Sequence, residues 1–107
     1  MERFKLSDAG DRGWFIGAFD RAIWKTDVFE VCYQHNKKDE VSPKHFHKVA
    51  RELNLITRGH VIVNGEHFRD GDVYVLEPHE TSEGFYVEDT YTICVKMPGV
   101  AGDKYLV

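Results

Sequence analysis

The apolar positions of this chain fall in short runs rich in Val, Ile, Tyr and Phe, separated by glycines and other turn residues. That punctuation favours strands. Strands are expected near 14–19, 28–35, 44–47, 51–58, 60–63, 66–68, 72–76, 85–87 and 91–97. Asn64-Gly65, between Val61-Ile62-Val63 and Glu66-His67-Phe68, is a two-residue hairpin signal, because both turn positions favour φ > 0. Arg69 to Asp72 supplies the next turn, and Lys37-Lys38-Asp39-Glu40 reads as a charged hairpin tip. Residues 6–13 read as a loop with at most one helical turn. No window carries an apolar stripe of helical period over a dozen residues. Eight or nine short strands at this spacing predict an all-β sandwich or barrel.

Composition narrows the class without naming a function. A chain of 107 residues, 42% hydrophobic and 30% charged, has room for one compact core and one domain. A net charge of −4 argues against a nucleic-acid module, which normally presents a basic face. The aromatic segment around Trp14, Phe15, Phe19 and Trp24 has no interleaved basic stripe for base stacking, and is expected to be an edge strand covering the core. No apolar run approaches the length needed to cross a bilayer, and the charged N-terminus has no export signal, so a cytoplasmic location is expected. Cys32 and Cys94 each sit in an apolar, β-branched run and read as buried thiols. Without a C-x-x-C pair, a zinc ribbon is excluded.

The chemistry begins with six histidines, two of them separated by a single residue. The segment from His45 to Gly59 reads H-F-H-K-V-A-R-E-L-N-L-I-T-R-G. On a strand, alternate side chains share a face, so His45 and His47 point the same way and Phe46 the other. Two neutral imidazoles about 7 Å apart along a strand can converge on one metal ion. Glu52, after four intervening residues, is expected on the neighbouring strand, from which its carboxylate can join them. The remaining histidines carry less. His60 and His67 flank the hairpin and are expected to be exposed. Tyr33 and His35, on one face of an early strand with Val31, are candidate pocket residues. Arg58 shares the parity of Glu52 and is a candidate anchor for an anionic substrate, whereas Arg51 has the opposite parity. On the last strand Thr92, Cys94 and Lys96 share one face and Tyr91, Ile93, Val95 and Met97 the other; either set suits the interior.

The H-x-H, four residues, Glu, six residues, Gly pattern resembles the first motif of the cupin family, and all four fixed positions match at His45, His47, Glu52 and Gly59. Gly71-Asp72 opens a strand that runs into Glu77-Pro78, as the approach to the second cupin motif does. The resemblance spans roughly residues 29–98. It implies a small double-stranded β-helix, a jelly-roll barrel with a central pocket, preceded by an N-terminal segment and edge strand (1–27) and followed by a C-terminal tail (99–107). It also implies a divalent metal (Fe, Mn, Ni or Zn) and a homodimer paired through the N-terminal strands.

The second motif departs from the family. Its histidine is expected at Ser82, in the stretch Pro78-His79-Glu80-Thr81-Ser82-Glu83-Gly84-Phe85. Three outcomes are open: Glu83 as a fourth or water-linked ligand, His79 in its place, or no replacement. The first makes Glu83 both a metal ligand and a candidate general base, with His79 a substrate contact. Two histidines and carboxylate oxygens favour Mn or Fe. The acids also concentrate late in the chain: eight acids and two lysines after position 69, against ten acids and twelve bases before it. The expected function is metal-dependent action on a small polar metabolite, sugar-like or carboxylate-bearing, as an isomerase, lyase or dioxygenase. A non-catalytic small-molecule-binding module is the alternative, and a purely structural interaction domain is the least favoured reading.

Overall fold

The computed structural model describes residues 1–107 as eleven strands and no helix. In chain order these are β1 (Trp14–Gly17), β2 (Trp24–Lys25), β3 (Glu30–Asn36), β4 (Val41–Phe46), β5 (Arg51–Arg58), β6 (His60–Val63), β7 (Glu66–Arg69), β8 (Val73–Leu76), β9 (Ser82–Tyr86), β10 (Thr90–Met97) and β11 (Tyr105–Leu106). They form two sheets, β2-β1-β3-β10-β5-β8 and β11-β4-β9-β6-β7, antiparallel except for the β1–β2 pair. No helix is long and apolar enough to cross a membrane.

The expected Asn64-Gly65 hairpin is present: both residues have positive φ, 50° and 82°, and Val63 pairs with Glu66 across the turn. Gly59 meets a tighter demand. A Cβ there would lie 2.6 Å from the Asp89 carbonyl oxygen and from Thr90, whose fully buried hydroxyl bonds the His60 backbone. Only glycine lets β5 turn into β6 against that wall.

Several boundaries differ from the pattern reading. β2 and β11 are two-residue ladders, too short to leave a hydrophobic signature. The 37–40 turn carries the chain from one sheet to the other rather than closing a hairpin. The strand expected to begin at Lys44 begins at Val41 and tolerates Pro43, because the register against β9 shifts between Ser42 and His45. A proline fits at such an irregularity, where its missing N–H costs no ladder bond. The strand expected at 85–87 begins at Ser82; Ser82-Glu83-Gly84 has the composition of a turn but belongs to β9, which pairs with β4 on one side and β6 on the other.

The apolar core is small and lies at one end of the barrel, where Ile56, Val61 and Val63 are buried with Phe68, Tyr74 and Tyr86 packed against them. Towards the other end the inward positions of the large sheet are polar. One cross-strand row reads Glu30, Lys96, Glu52, Leu76 and the next Cys32, Cys94, Asn54, Tyr74. The intervening outward rows are Val31, Val95, Leu53, Val75 and Tyr33, Ile93, Leu55, Val73. On β10 the choice left open by parity thus falls to Thr92, Cys94 and Lys96 as the inward set.

Candidate active site

A cavity of about 500 Å³ opens at the polar end of the barrel, a size typical of small-molecule sites. His45, His47, Glu52, Asn54, Cys94 and Lys96 line it, with Tyr74, Tyr86, Val61 and Val63 towards the core. β4 delivers His45 to its inner side, and His47 follows just beyond the strand; both are buried, with rings 5.4 Å apart and nearly perpendicular. Phe46 points away and stacks on Tyr105.

The hydrogen bonds define what each donor atom can do. His45 Nδ1 lies 2.7 Å from the Pro43 carbonyl oxygen, which can only accept. Nδ1 therefore carries the proton, and Nε2 is left as a lone-pair donor. His47 Nε2 is buried and has no hydrogen-bond partner. Burial, followed by the Lys96 charge, pushes the His47 pKa down and favours the neutral imidazole. Glu52 is buried on β5; its Oε1 accepts from the Cys94 thiol at 3.3 Å and its Oε2 from Asn54 Nδ2 at 3.2 Å. Burial, then the neighbouring Glu52 charge, drives the Cys94 thiol far above its usual range, so it stays a donor. Burial likewise raises the Tyr86 phenol to about 12 and lifts that of Tyr74 strongly, keeping both protonated.

The C-terminal residues complete the mouth. Asp103 accepts hydrogen bonds from the backbone N–H groups of Lys48, Val49 and Ala50 at 2.8–3.3 Å, holding 100–104 against the loop that follows His47. Burial alone would raise this carboxyl, but the Ala50, Lys48 and Val49 donors outweigh it and hold the pKa low. β11 then pairs with β4 alongside His45 and Phe46.

In type, two imidazoles with free or unpartnered nitrogens and a buried carboxylate fit a divalent cation. In arrangement they stop short of a closed ligand set: no three His, Cys, Asp or Glu side chains lie close enough to share one ion, and Glu52 is turned to Cys94 and Asn54.

Other expected site residues lie elsewhere. Ser82 is buried directly opposite His45, so strand alternation turns Glu83 away; Glu83 is exposed at the cavity rim and does not join the histidines. His79 is exposed in the turn after β8, stacked beside Phe46. Arg58 is displaced by a bulge: Tyr91 pairs with Arg58 and Thr92 with Ile56, leaving Thr57 as an extra residue. That residue inverts the parity, and Arg58 sits on the outer face with its guanidinium 4.4 Å from the centre of the Tyr91 ring. Tyr33 and His35 are also outside; His35 stacks on Tyr91 at 4.4 Å and places Nε2 3.4 Å from Asp89. Conversely, Asn54, Lys96 and Asp103 shape the site without having been singled out for it. The available signals were the two-residue spacing of Asn54 from Glu52 and the shared face of Lys96 with Thr92 and Cys94; Asp103 had none.

No family model matches the sequence, and a search of curated proteins returns no match. Solved structures do resemble it. A conserved Klebsiella pneumoniae protein with a double-stranded β-helix domain superposes with a TM-score of 0.70 at 21% identity, over 79% of each chain. An RmlC-like cupin from Shewanella frigidimarina gives 0.65 at 17%, covering 72% of this chain and 71% of that one. Oxalate decarboxylase from Bacillus subtilis gives 0.65 at 15%, covering 76% of this chain and 24% of that one. The chain has the cupin fold, an all-β double-stranded β-helix.

Proposed function

We propose that this chain binds a divalent metal ion through His45, His47 and Glu52 and acts on a small polar metabolite in the same cavity. The observation that carries this reading is the buried, unpartnered Nε2 of His47, beside a His45 whose proton is committed to the Pro43 carbonyl. A buried imidazole nitrogen without a partner is costly unless something occupies its lone pair. The lining adds an anionic bias: Asp11, Glu30, Glu52, Glu83 and Asp103 against Arg12, Lys96 and Lys104. Two histidines and one carboxylate suit Fe or Mn.

A bound divalent ion supplies Lewis-acid polarisation of a carbonyl or carboxylate oxygen. Glu52 would exchange its Cys94 and Asn54 hydrogen bonds for the metal. The Tyr86 phenol, held protonated by burial, is a hydrogen-bond donor for a substrate oxygen, and Lys96 supplies a cation on the opposite wall. The substrate is sugar-like or carboxylate-bearing, and isomerase, lyase or dioxygenase chemistry all suit such a site. Oxalate decarboxylase offers a carboxylate-directed precedent within the fold.

The second reading, a non-catalytic binding module, is favoured by one observation: a serine, rather than a fourth ligand, faces His45. Elemental analysis after metal-supplemented expression separates the two. The parent is expected to retain about one equivalent of metal and His45→Ala/His47→Ala none, while Glu83→Ala and His79→Ala match the parent. Equal content in parent and double variant, or none in either, sinks the metal site and leaves the binding module.

A further inference from the structure

Of the Lys and Arg side chains that line the cavity, Lys96 is the one set into its wall; Arg12 and Lys104 are exposed at the rim. β10 places Lys96 in cross-strand register between Glu30 and Glu52, yet it pairs with neither. The ion pairs of the chain are Arg12–Asp11, His35–Asp89 and Arg51–Glu77, and Glu52 commits both oxygens to Cys94 and Asn54. The Lys96 ammonium lies instead 5.1 Å from the centre of the Trp14 ring. An aromatic face holds a cation from one side and leaves N–H donors free for a ligand.

We propose that Lys96 anchors the carboxylate of a small monoanionic acid, which makes the ligand of this cavity a carboxylate rather than a neutral sugar. A ligand that fills the space of about 500 Å³ displaces the water around the ammonium. A neutral ligand leaves that charge desolvated and unpaired, whereas a carboxylate replaces water with a charge-assisted hydrogen bond. The lining limits the ligand's own charge. It holds Asp11, Glu30, Glu52, Glu83 and Asp103 against Arg12, Lys96 and Lys104, so a dianion such as a phosphate ester meets net repulsion. One carboxylate matches the one cation of the wall. β10 and β4 belong to different sheets, so Lys96 and the two histidines approach the cavity from opposite sides. An acid held at Lys96 turns its other end to the histidines, and a hydroxy or oxo acid brings a second oxygen there. That second contact rests on the metal reading above; the anchor rests on Lys96.

Glycolate and its neutral amide, glycolamide, test the anchor. Each is titrated into isotope-labelled, zinc-supplemented protein while the indole N–H resonances are followed by NMR. Glycolate is expected to shift Trp14 and not Trp24, which is 58% exposed away from the cavity, and to bind roughly 10-fold more tightly than glycolamide. In His45→Ala/His47→Ala, where zinc cannot contribute, the preference for glycolate is expected to persist, to vanish on adding Lys96→Met and to survive Lys96→Arg. Should Lys96→Met fail to fold, Lys96→Gln takes its place. Equal affinity for the two probes in the double-histidine variant overturns the proposal, as does a preference that outlasts removal of the ammonium. The two readings fail separately. A parent that holds zinc while the double-histidine variant shows no preference keeps the metal site and loses the anchor; a parent without zinc that still prefers glycolate through Lys96 does the reverse.

Discussion

The two faces of the large sheet use the same four strands and opposite chemistry. Inward, Glu30, Lys96 and Glu52 lie in one row and Cys32, Cys94 and Asn54 in the next; outward, the matching rows are Val31, Val95, Leu53 and Tyr33, Ile93, Leu55. A sheet closing an ordinary core would reverse them, since burial of aliphatic side chains is the main drive for packing. Here the drive is met at one end only, by Ile56, Val61 and Val63, and the rest of the interior is given to polar groups that must be satisfied individually. Glu52 is satisfied by Cys94 and Asn54, and Asp103 by three backbone donors. His47 Nε2 is not satisfied at all. The difference between the faces separates what holds this barrel together from what it is built to hold.

The largest effect should come from the apolar end. Ile56→Ala, at a position 1% exposed, is expected to destabilise the chain by about 3 kcal/mol, roughly 12–15 °C in Tm, by denaturant or thermal melts. A loss under 1 kcal/mol would mean that the polar end carries the stability instead.

The polar mouth should rank second. Asp103→Ala leaves three backbone N–H groups without their acceptor and should cost about 2 kcal/mol. Because the folded pKa is depressed, this contribution is complete above the ordinary value of 3.8 and is lost as pH falls through the lower folded value. The stabilities of parent and Asp103→Asn should therefore converge on acidification; a gap constant down to the lowest pH would refute the assignment.

The outer face should respond least. Val73→Thr keeps the shape of a half-exposed strand residue, so at protein concentrations too low for association it should change stability by no more than about 0.5 kcal/mol. A Tm difference between parent and variant that widens with protein concentration would show the outer face being covered.

Much of this was legible in the strand pattern and one motif. His45 and His47 face the same cavity because alternation along β4 is a local consequence of sequence, but Glu52 is not on a neighbouring strand as expected: β5 belongs to the other sheet and brings Glu52 to the cavity from across the barrel. Arg58 and Glu83 were illegible for a shared reason. A bulge at Thr57 and a strand beginning at Ser82 each move a side chain to the opposite face, and neither has a hydropathy signature. Tyr33 and His35 share a strand face with Val31, and alternation alone does not say which face is inside; in this sheet theirs points out.

By itself, then, the amino-acid sequence determined the all-β class, the Asn64-Gly65 hairpin and the common face of the two histidines, whereas the meeting of Glu52 with them across two sheets belongs to the tertiary structure. The first three rest on backbone preferences and side-chain periods acting over a few residues. Tertiary structure alone decided which face of each strand is inside, that Asp103 closes the mouth, and that Lys96 and Cys94 stand beside Glu52. Those outcomes depend on register between strands distant in sequence, where one extra residue reverses every side chain beyond it.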